Sequence, residues 1–170
     1  MRVASIDEPH WDAERPEPHS LRAARVGAQA GAQAIGATLY ELAPGGAVSP
    51  YHVHHANEEL LIVLAGRPRL RTPEGTTTLE TGSVVAFAPG HEGAHRISNA
   101  GPEPARVLVC STMNLPEIAE YPDTGTWLAV TRRSEGTGRP EGRAFPAGSD
   151  VPIADAIAQA MEEGAARELE

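Results

Sequence analysis

Glycine and proline cut this chain into short pieces, and that punctuation constrains its fold more than any other feature. The 17 Gly and 15 Pro among 170 residues are scattered between brief apolar runs, as turns between strands require. From residue 37 the pattern has a period of two. Thr38, Tyr40 and Leu42 alternate with Ala37, Leu39 and Glu41, and Pro44-Gly45-Gly46 then forces a turn. Leu60–Leu64 reads as a buried strand ended by Gly66. Arg69–Thr72 and Thr76–Glu80 flank Pro73-Glu74-Gly75 as a hairpin. Ser83–Ala88 is a further buried strand closed by Pro89-Gly90. His95, Ile97 and Asn99 alternate, Arg106–Thr112 is a long apolar strand, and Thr126–Val130 adds another. Short strands at this spacing, with no internal repeat, predict an all-β sandwich or closed barrel.

The flanks read differently. Residues 1–20 are polar and Pro-rich and suggest an extended arm pinned by Trp11. Residues 21–36 are Ala-rich but broken by Gly27 and Gly31. A helix there would lose about 1 kcal/mol per glycine, so strand or irregular structure is at least as favoured. Residues 132–149 read as a loop. Asp150 is placed to cap a helix over roughly 152–163, with Ile153, Ala156, Ile157, Ala160 and Met161 on one face. The expected plan is an arm over 1–20, a β-domain over 21–131, and a loop with a C-terminal helix over 132–170. This length suits one domain.

Composition excludes several classes. A formal net charge of −9 disfavours nucleic-acid phosphates. The single cysteine, Cys110, excludes an internal disulfide and a Cys-rich zinc site, and its apolar run suggests a buried, inert thiol. No apolar stretch approaches the ~20 residues of a membrane span, and no leader-like segment is evident, which makes the cytoplasm the default expectation.

The chemistry concentrates in residues 46–66, GAVSPYHVHHANEELLIVLAG. His52 and His54 are two apart, so on a strand both imidazoles face the same space. Glu59 follows a short polar turn at the start of the next strand, where a hairpin returns it beside them. His95 comes much later, after the Gly-rich turn PGHEGAH, and can supply a ligand from an adjacent strand. Three neutral imidazoles and one carboxylate suit a divalent Zn, Fe, Ni, Mn or Co ion with a position left open. Affinity should fall below about pH 6, because imidazole must be neutral to coordinate. Glu58 competes with Glu59 for the ligand role. Adjacent strand residues face opposite sides, so only one can reach the interior, and the distance to the Gly66 turn favours Glu59.

These segments resemble the two motifs of the cupin superfamily. Gly46, His52, His54, Glu59 and Gly66 match the first motif, and Gly82, Pro89, Gly93, His95 and Asn99 match the second. The second is slightly longer between Gly82 and His95 than usual, with Pro-Gly where Pro-x-Gly is common. YHVHHANEELLIVLAG, PGHEGAHRISN and STMNLPEIAEYPDTG are also similar to small bacterial single-domain cupins of unassigned reaction, over roughly residues 20–130. The resemblance implies an all-β double-stranded β-helix (a jelly-roll barrel) with one divalent metal, Zn, Fe, Mn or Ni, on His52, His54, Glu59 and His95. It also implies pairing as a homodimer, in which an arm carrying Trp11 could cover a partner's sheet edge.

Other residues carry weaker signals. His55 points away from His54 on an ideal strand and reads as structural, or as a support or alternative ligand. His91 reads as a plain loop residue. Tyr40, Tyr51 and Phe87 could line a pocket, Asn99 suits turn backbone groups, and Arg69 and Arg71 suit a solvated face. Two functional expectations result. One is a metal-dependent enzyme of oxygenase or isomerase type acting on a small organic molecule. The other is a non-catalytic sensor or accessory protein that binds a metal or small molecule. No catalytic acid, base or nucleophile stands out beyond the ligands.

Overall fold

Period-two patterning becomes strand along nearly the whole chain. The structure, a computed structural model, describes residues 1–133, 140–149, 151–152 and 154–160. The first elements are β1 (Ala13–Arg15), β2 (Leu21–Ala24), the short helix α1 (Val26–Ala30) and β3 (Ile35–Leu42). Then come β4 (Val53–His54), β5 (Glu59–Ala65), β6 (Arg69–Thr72), β7 (Gly75–Thr78) and β8 (Val84–Phe87). After a 3₁₀ turn at His91–Gly93 follow β9 (Arg96–Ser98), β10 (Ala105–Thr112), β11 (Glu117–Tyr121), β12 (Thr126–Arg133) and β13 (Pro140–Phe145). A helix, α2, spans 154–160.

The strands form a six-stranded sheet in the order β1-β2-β3-β10-β5-β8, a four-stranded sheet β13-β12-β11-β4 and a three-stranded sheet β7-β6-β9. All pairings are antiparallel. Single bridges, Ala47 to Ser98 and His52 to His95, join the segment before β4 to the β9 segment. Hydrogen bonding therefore does not run continuously around the molecule. Of the two forms expected, sandwich or closed barrel, the jelly roll is the sandwich, its layers joined by core side chains and by single backbone bonds such as Gly90 N to His54 O.

Alternation decides what each face does. In β5, Leu61 and Val63 are buried while Leu60 is exposed, the register expected if Glu59 faces inward. Leu42, Leu61, Val63, Leu70, Phe87, Ile97 and Val107 form the core between the layers. Each fully buried leucine contributes about 2 kcal/mol. The opposite face of β3 turns Leu39 and Ala37 toward Ala24, Val26 and Trp11. Gly27 permits this packing, since a Cβ there would lie 2.8 Å from the Ala37 nitrogen. The stretch 21–36 is thus part strand and part helix, ended by Gly31 at φ 92°.

Several elements differ from the sequence reading. Trp11 packs on its own chain, with the Arg22 guanidinium 4.4 Å from its ring, and β1 pairs with β2 instead of forming a free arm. The strand expected at Ser83–Ala88 is only half buried, with Val84 60% exposed, because β8 is the edge of its sheet. β11 was not anticipated. β13 lies where a loop was expected, because β12 offers it a partner edge. The α2 residues 154–160 are exposed and do not bury an apolar face on the sandwich; Asp150, Ile153 and Met161 lie outside the described residues. No helix among the described residues is long and apolar enough to cross a membrane.

Candidate metal centre

The two histidine segments meet through the backbone. His52 N donates to His95 O at 3.0 Å and His95 N donates to His52 O at 2.9 Å, so the residues are direct cross-strand partners. Their imidazole centroids lie 4.4 Å apart. His54, two residues on, presents its ring to the same space, 4.9 Å from His52. Glu59 opens β5 opposite Ser111 of β10 and Phe87 of β8. Its Oε2 lies 3.2 Å from His95 Nε2 and its Oε1 lies 3.7 Å from His54 Nε2. One ligand atom each from His52, His54 and Glu59 fits within 4.8 Å, a group able to hold a metal ion. Glu58 faces the other way and is exposed; its backbone N–H donates to Thr112 Oγ1 at 3.1 Å.

Local contacts fix the ring orientations. A carbonyl oxygen can only accept, so His52 Nδ1 carries the proton it donates to Pro50 O at 3.0 Å. His95 Nδ1 likewise donates to Gly93 O at 2.9 Å. Both Nε2 lone pairs are thereby left for the cavity. Phe87 lies flat on the His95 ring, with centroids 3.7 Å apart and planes 9° apart. Gly93 is required in this turn, because a Cβ would fall 1.8 Å from Ala88 O. Asn99 holds the turn after β9: its Nδ2 donates to Leu42 O and Glu103 O, and its Oδ1 accepts from Gly101 N.

Burial, and then the neighbouring His95 and His54, oppose a charge on His52 and lower its pKa to about 4. Burial alone would raise Glu59. Its contact with His95 and the nearby imidazoles outweigh that and hold it below the usual carboxylate range. The centre thus combines a neutral imidazole and an ionised carboxylate, the protonation states that ligation needs.

Sequence reasoning missed two residues that brace the centre. Glu117, only 2% exposed, accepts from His55 N at 3.0 Å and from Asn57 Nδ2, and its Oε1 lies 3.7 Å from His54 Nδ1. Asn57, equally buried, accepts from Asn114 N and Thr112 Oγ1. Neither forms a local pattern with the histidines; only the pairing of β11 with β4 brings Glu117 there. Tyr51 is buried against the Arg71 guanidinium and does not line the cavity, whereas Tyr40 does. Arg71 is also paired with Asp123, so it is not simply a solvated side chain. Cys110 is only partly buried, and that burial raises its thiol pKa.

The cavity in front of the histidines measures about 330 Å³. Inward residues of β3 and β10, among them Thr38, Tyr40, Val109 and Ser111, form its walls, with Ser49 and Asn57 beside the histidines. Among the described residues, Arg25 is the one Lys or Arg side chain lining it, and its Nη2 lies 3.6 Å from Asp12 Oδ1.

The fold is a jelly-roll sandwich with a His/Glu group facing its cavity. Residues 38–111 match the family model of the cupin domain. No match was found among curated proteins. Among solved structures, the chain is similar to a sugar phosphate isomerase of the cupin superfamily from Silicibacter pomeroyi. The identity is 23%, the match covers 89% of this chain and 97% of that one, and the TM-score is 0.70. An Acidithiobacillus ferrooxidans protein, provisionally named a sugar phosphate isomerase, matches at 24% identity over 86% of this chain and 88% of its own, TM-score 0.69. The polyketide cyclase RemF from Streptomyces resistomycificus matches at 20% identity over 69% and 83%, TM-score 0.57. These likenesses show the fold.

Proposed function

We propose that the chain binds one divalent metal ion with His52, His54, Glu59 and His95 and works as a metal-dependent isomerase on a small hydroxy-carbonyl compound. One observation carries the metal reading. The Gly93 carbonyl occupies the His95 Nδ1 proton, so a neutral His95 turns a lone pair toward Glu59 Oε2 only 3.2 Å away. A proton or a metal ion can lie between two acceptors that close, and the neighbouring cluster of His52, His54 and Glu59 ligand atoms within 4.8 Å favours the metal ion. A metal ion bound there supplies a Lewis acid that polarises a substrate oxygen.

The cavity favours the isomerase reading over the oxygenase one. Thr38, Tyr40, Ser49 and Ser111 line it beside Val48, Ile97, Val109 and Met113, a mixed wall that suits a small molecule with both hydroxyl groups and a carbon frame. With Arg25 already beside Asp12, a neutral or singly anionic substrate fits better than a multiply charged one. The two neighbours carrying sugar phosphate isomerase names support the isomerase part of this reading, while their names denote a more highly charged substrate than this cavity favours. The address we assign is the cytoplasm. We also retain a homodimer, now through the outer faces of β5 and β8, where Leu60 and Val84 are exposed.

The test begins with metal analysis of tag-free protein. It continues with deuterium exchange beside the carbonyl of hydroxy-aldehydes and hydroxy-ketones in D₂O, phosphorylated members included. Metal-dependent exchange without oxygen uptake is expected. Failure to take up Zn, Fe, Mn or Ni ends the metal reading. Metal binding with oxygen uptake instead makes the protein an oxygenase, and metal binding with no turnover makes it a binding protein.

A further inference from the structure

We propose that His55, His91 and Glu120 form a second divalent-metal site on the opposite face of β4 from the cavity. None of the three lines that cavity.

The backbone places them. His54 and His55 are adjacent, so their side chains leave opposite faces. β11 repeats the division: Glu117 lies beside His54, and Glu120, of opposite parity, lies beside His55. Glu120 is the register partner of Val53. His91 begins the 3₁₀ turn, which is tied to β4 by Gly90 N donating to His54 O at 2.7 Å. Three separate elements thus deliver three ligand-type side chains to one place.

The geometry fits a metal better than it fits hydrogen bonding. Glu120 Oε2 lies 3.5 Å from His55 Nε2 and 3.6 Å from His91 Nε2, and all three ligand atoms fit within 4.8 Å. Bonds of 2.0–2.1 Å to a tetrahedral zinc place neighbouring ligand atoms about 3.4 Å apart. The same spacing is long for an N–H···O bond. Among the described residues, His55 Nε2 and Glu120 Oε2 are buried with no hydrogen-bond partner. Rings hold the donors in place: His55 stacks on Trp127, with centroids 5.4 Å apart and planes 16° apart, and His91 meets His55 edge-on at 5.5 Å.

Two imidazoles and one carboxylate suit Zn²⁺, Co²⁺ or Ni²⁺. The His91 side chain is 69% exposed, so solvent reaches the fourth position. An ion here ties β4, β11 and the turn before His95 together. It acts as a staple that holds the walls of the inner centre, and with three ligands it binds more weakly than the inner site.

Zinc titration of tag-free, chelator-stripped full-length protein tests this by calorimetry. Two binding events are expected for the wild type. In His91→Ala and in Glu120→Gln the weaker event disappears and the stronger remains; zinc also raises their Tm less than it raises the wild type's. In His52→Ala and Glu59→Gln the stronger event is lost and the weaker persists, so failure of the inner site is separable from failure of this one. Isotherms for His91→Ala and Glu120→Gln that match the wild type would overturn the proposal. So would a single event in the wild type that His52→Ala and Glu59→Gln both abolish.

Discussion

His52 and His95 exchange both backbone hydrogen bonds, at 3.0 and 2.9 Å, so two segments far apart in sequence hold their imidazoles side by side. The proposed metal centre is therefore only as rigid as this pairing and the turn that precedes His95. Gly93→Ala tests it. A Cβ 1.8 Å from Ala88 O forces the turn to move, and with it the carbonyl that orients His95. Stability should fall by about 2 kcal/mol or more, and metal affinity by about tenfold or more, in denaturant melts and calorimetry. A variant that binds metal as the wild type does would show that the turn does not position His95.

Glu59 and Glu58 separate by register. Glu59 reaches His95 and His54, whereas Glu58 is exposed. Glu59→Gln removes the only carboxylate of the proposed ligand set and should weaken metal binding by about 100-fold or more. Glu58→Gln should change stability by less than about 0.5 kcal/mol and leave binding intact. Titration of both with one metal decides, and a reversed ranking would mean the strand is shifted by one residue.

Glu117 should act through His54. Glu117→Gln keeps the shape but removes the charge 3.7 Å from His54 Nδ1 and turns one acceptor into a donor facing the His55 N–H or Asn57 Nδ2, so metal affinity should drop by about 10-fold with a stability loss of about 1–2 kcal/mol. Glu117→Ala also removes one acceptor from the His55 N–H and one from Asn57 Nδ2, which keep Ile118 O and Asn114 O as partners, at about 1–2 kcal/mol. Equal metal affinity in the wild type and the Gln variant would reduce Glu117 to a purely structural role.

The metal-free protein should lose stability as acid is added. His52 titrates near 6.5 when unfolded and near 4 when folded, so between these values the unfolded chain binds more protons. Its contribution is fully present above about pH 6.5 and declines toward pH 4, by at most about 3 kcal/mol. Urea melts of chelated protein at pH 7.5, 6 and 5 should show a steeper loss for the wild type than for His52→Asn. Parallel losses would remove His52 as the cause. Because His52 stays neutral well below the ordinary imidazole value, it does not set the pH 6 limit that reference imidazoles suggest for metal binding.

The proposed pairing of copies through Leu60 and Val84 predicts a dimer mass in light scattering at micromolar concentration. Val84→Glu should shift it to monomer by placing a charge on an apolar contact. A monomeric wild type removes the proposal.

The sequence by itself determined the strand pattern, the inward register of Glu59, Leu61 and Val63, and the shared face of His52 and His54. These are local consequences of a period of two and of Gly/Pro turns, and both can be read along one strand. It also marked His95 and Asn99, because they share the parity of Ile97 and alternate with Arg96 and Ser98, which puts all three inside. Tertiary structure alone decided the rest. Glu117 and Glu120 acquire partners only because β11 pairs with β4, and no local period announces that pairing. β13 exists because β12 offers it an edge, although its own residues read as loop. Trp11 folds back because Ala24, Val26 and Leu39 leave an apolar surface for it. The orientation of His95, finally, depends on a carbonyl whose direction is set by the close approach of Gly93 to Ala88, a contact between backbones that side-chain patterning does not encode.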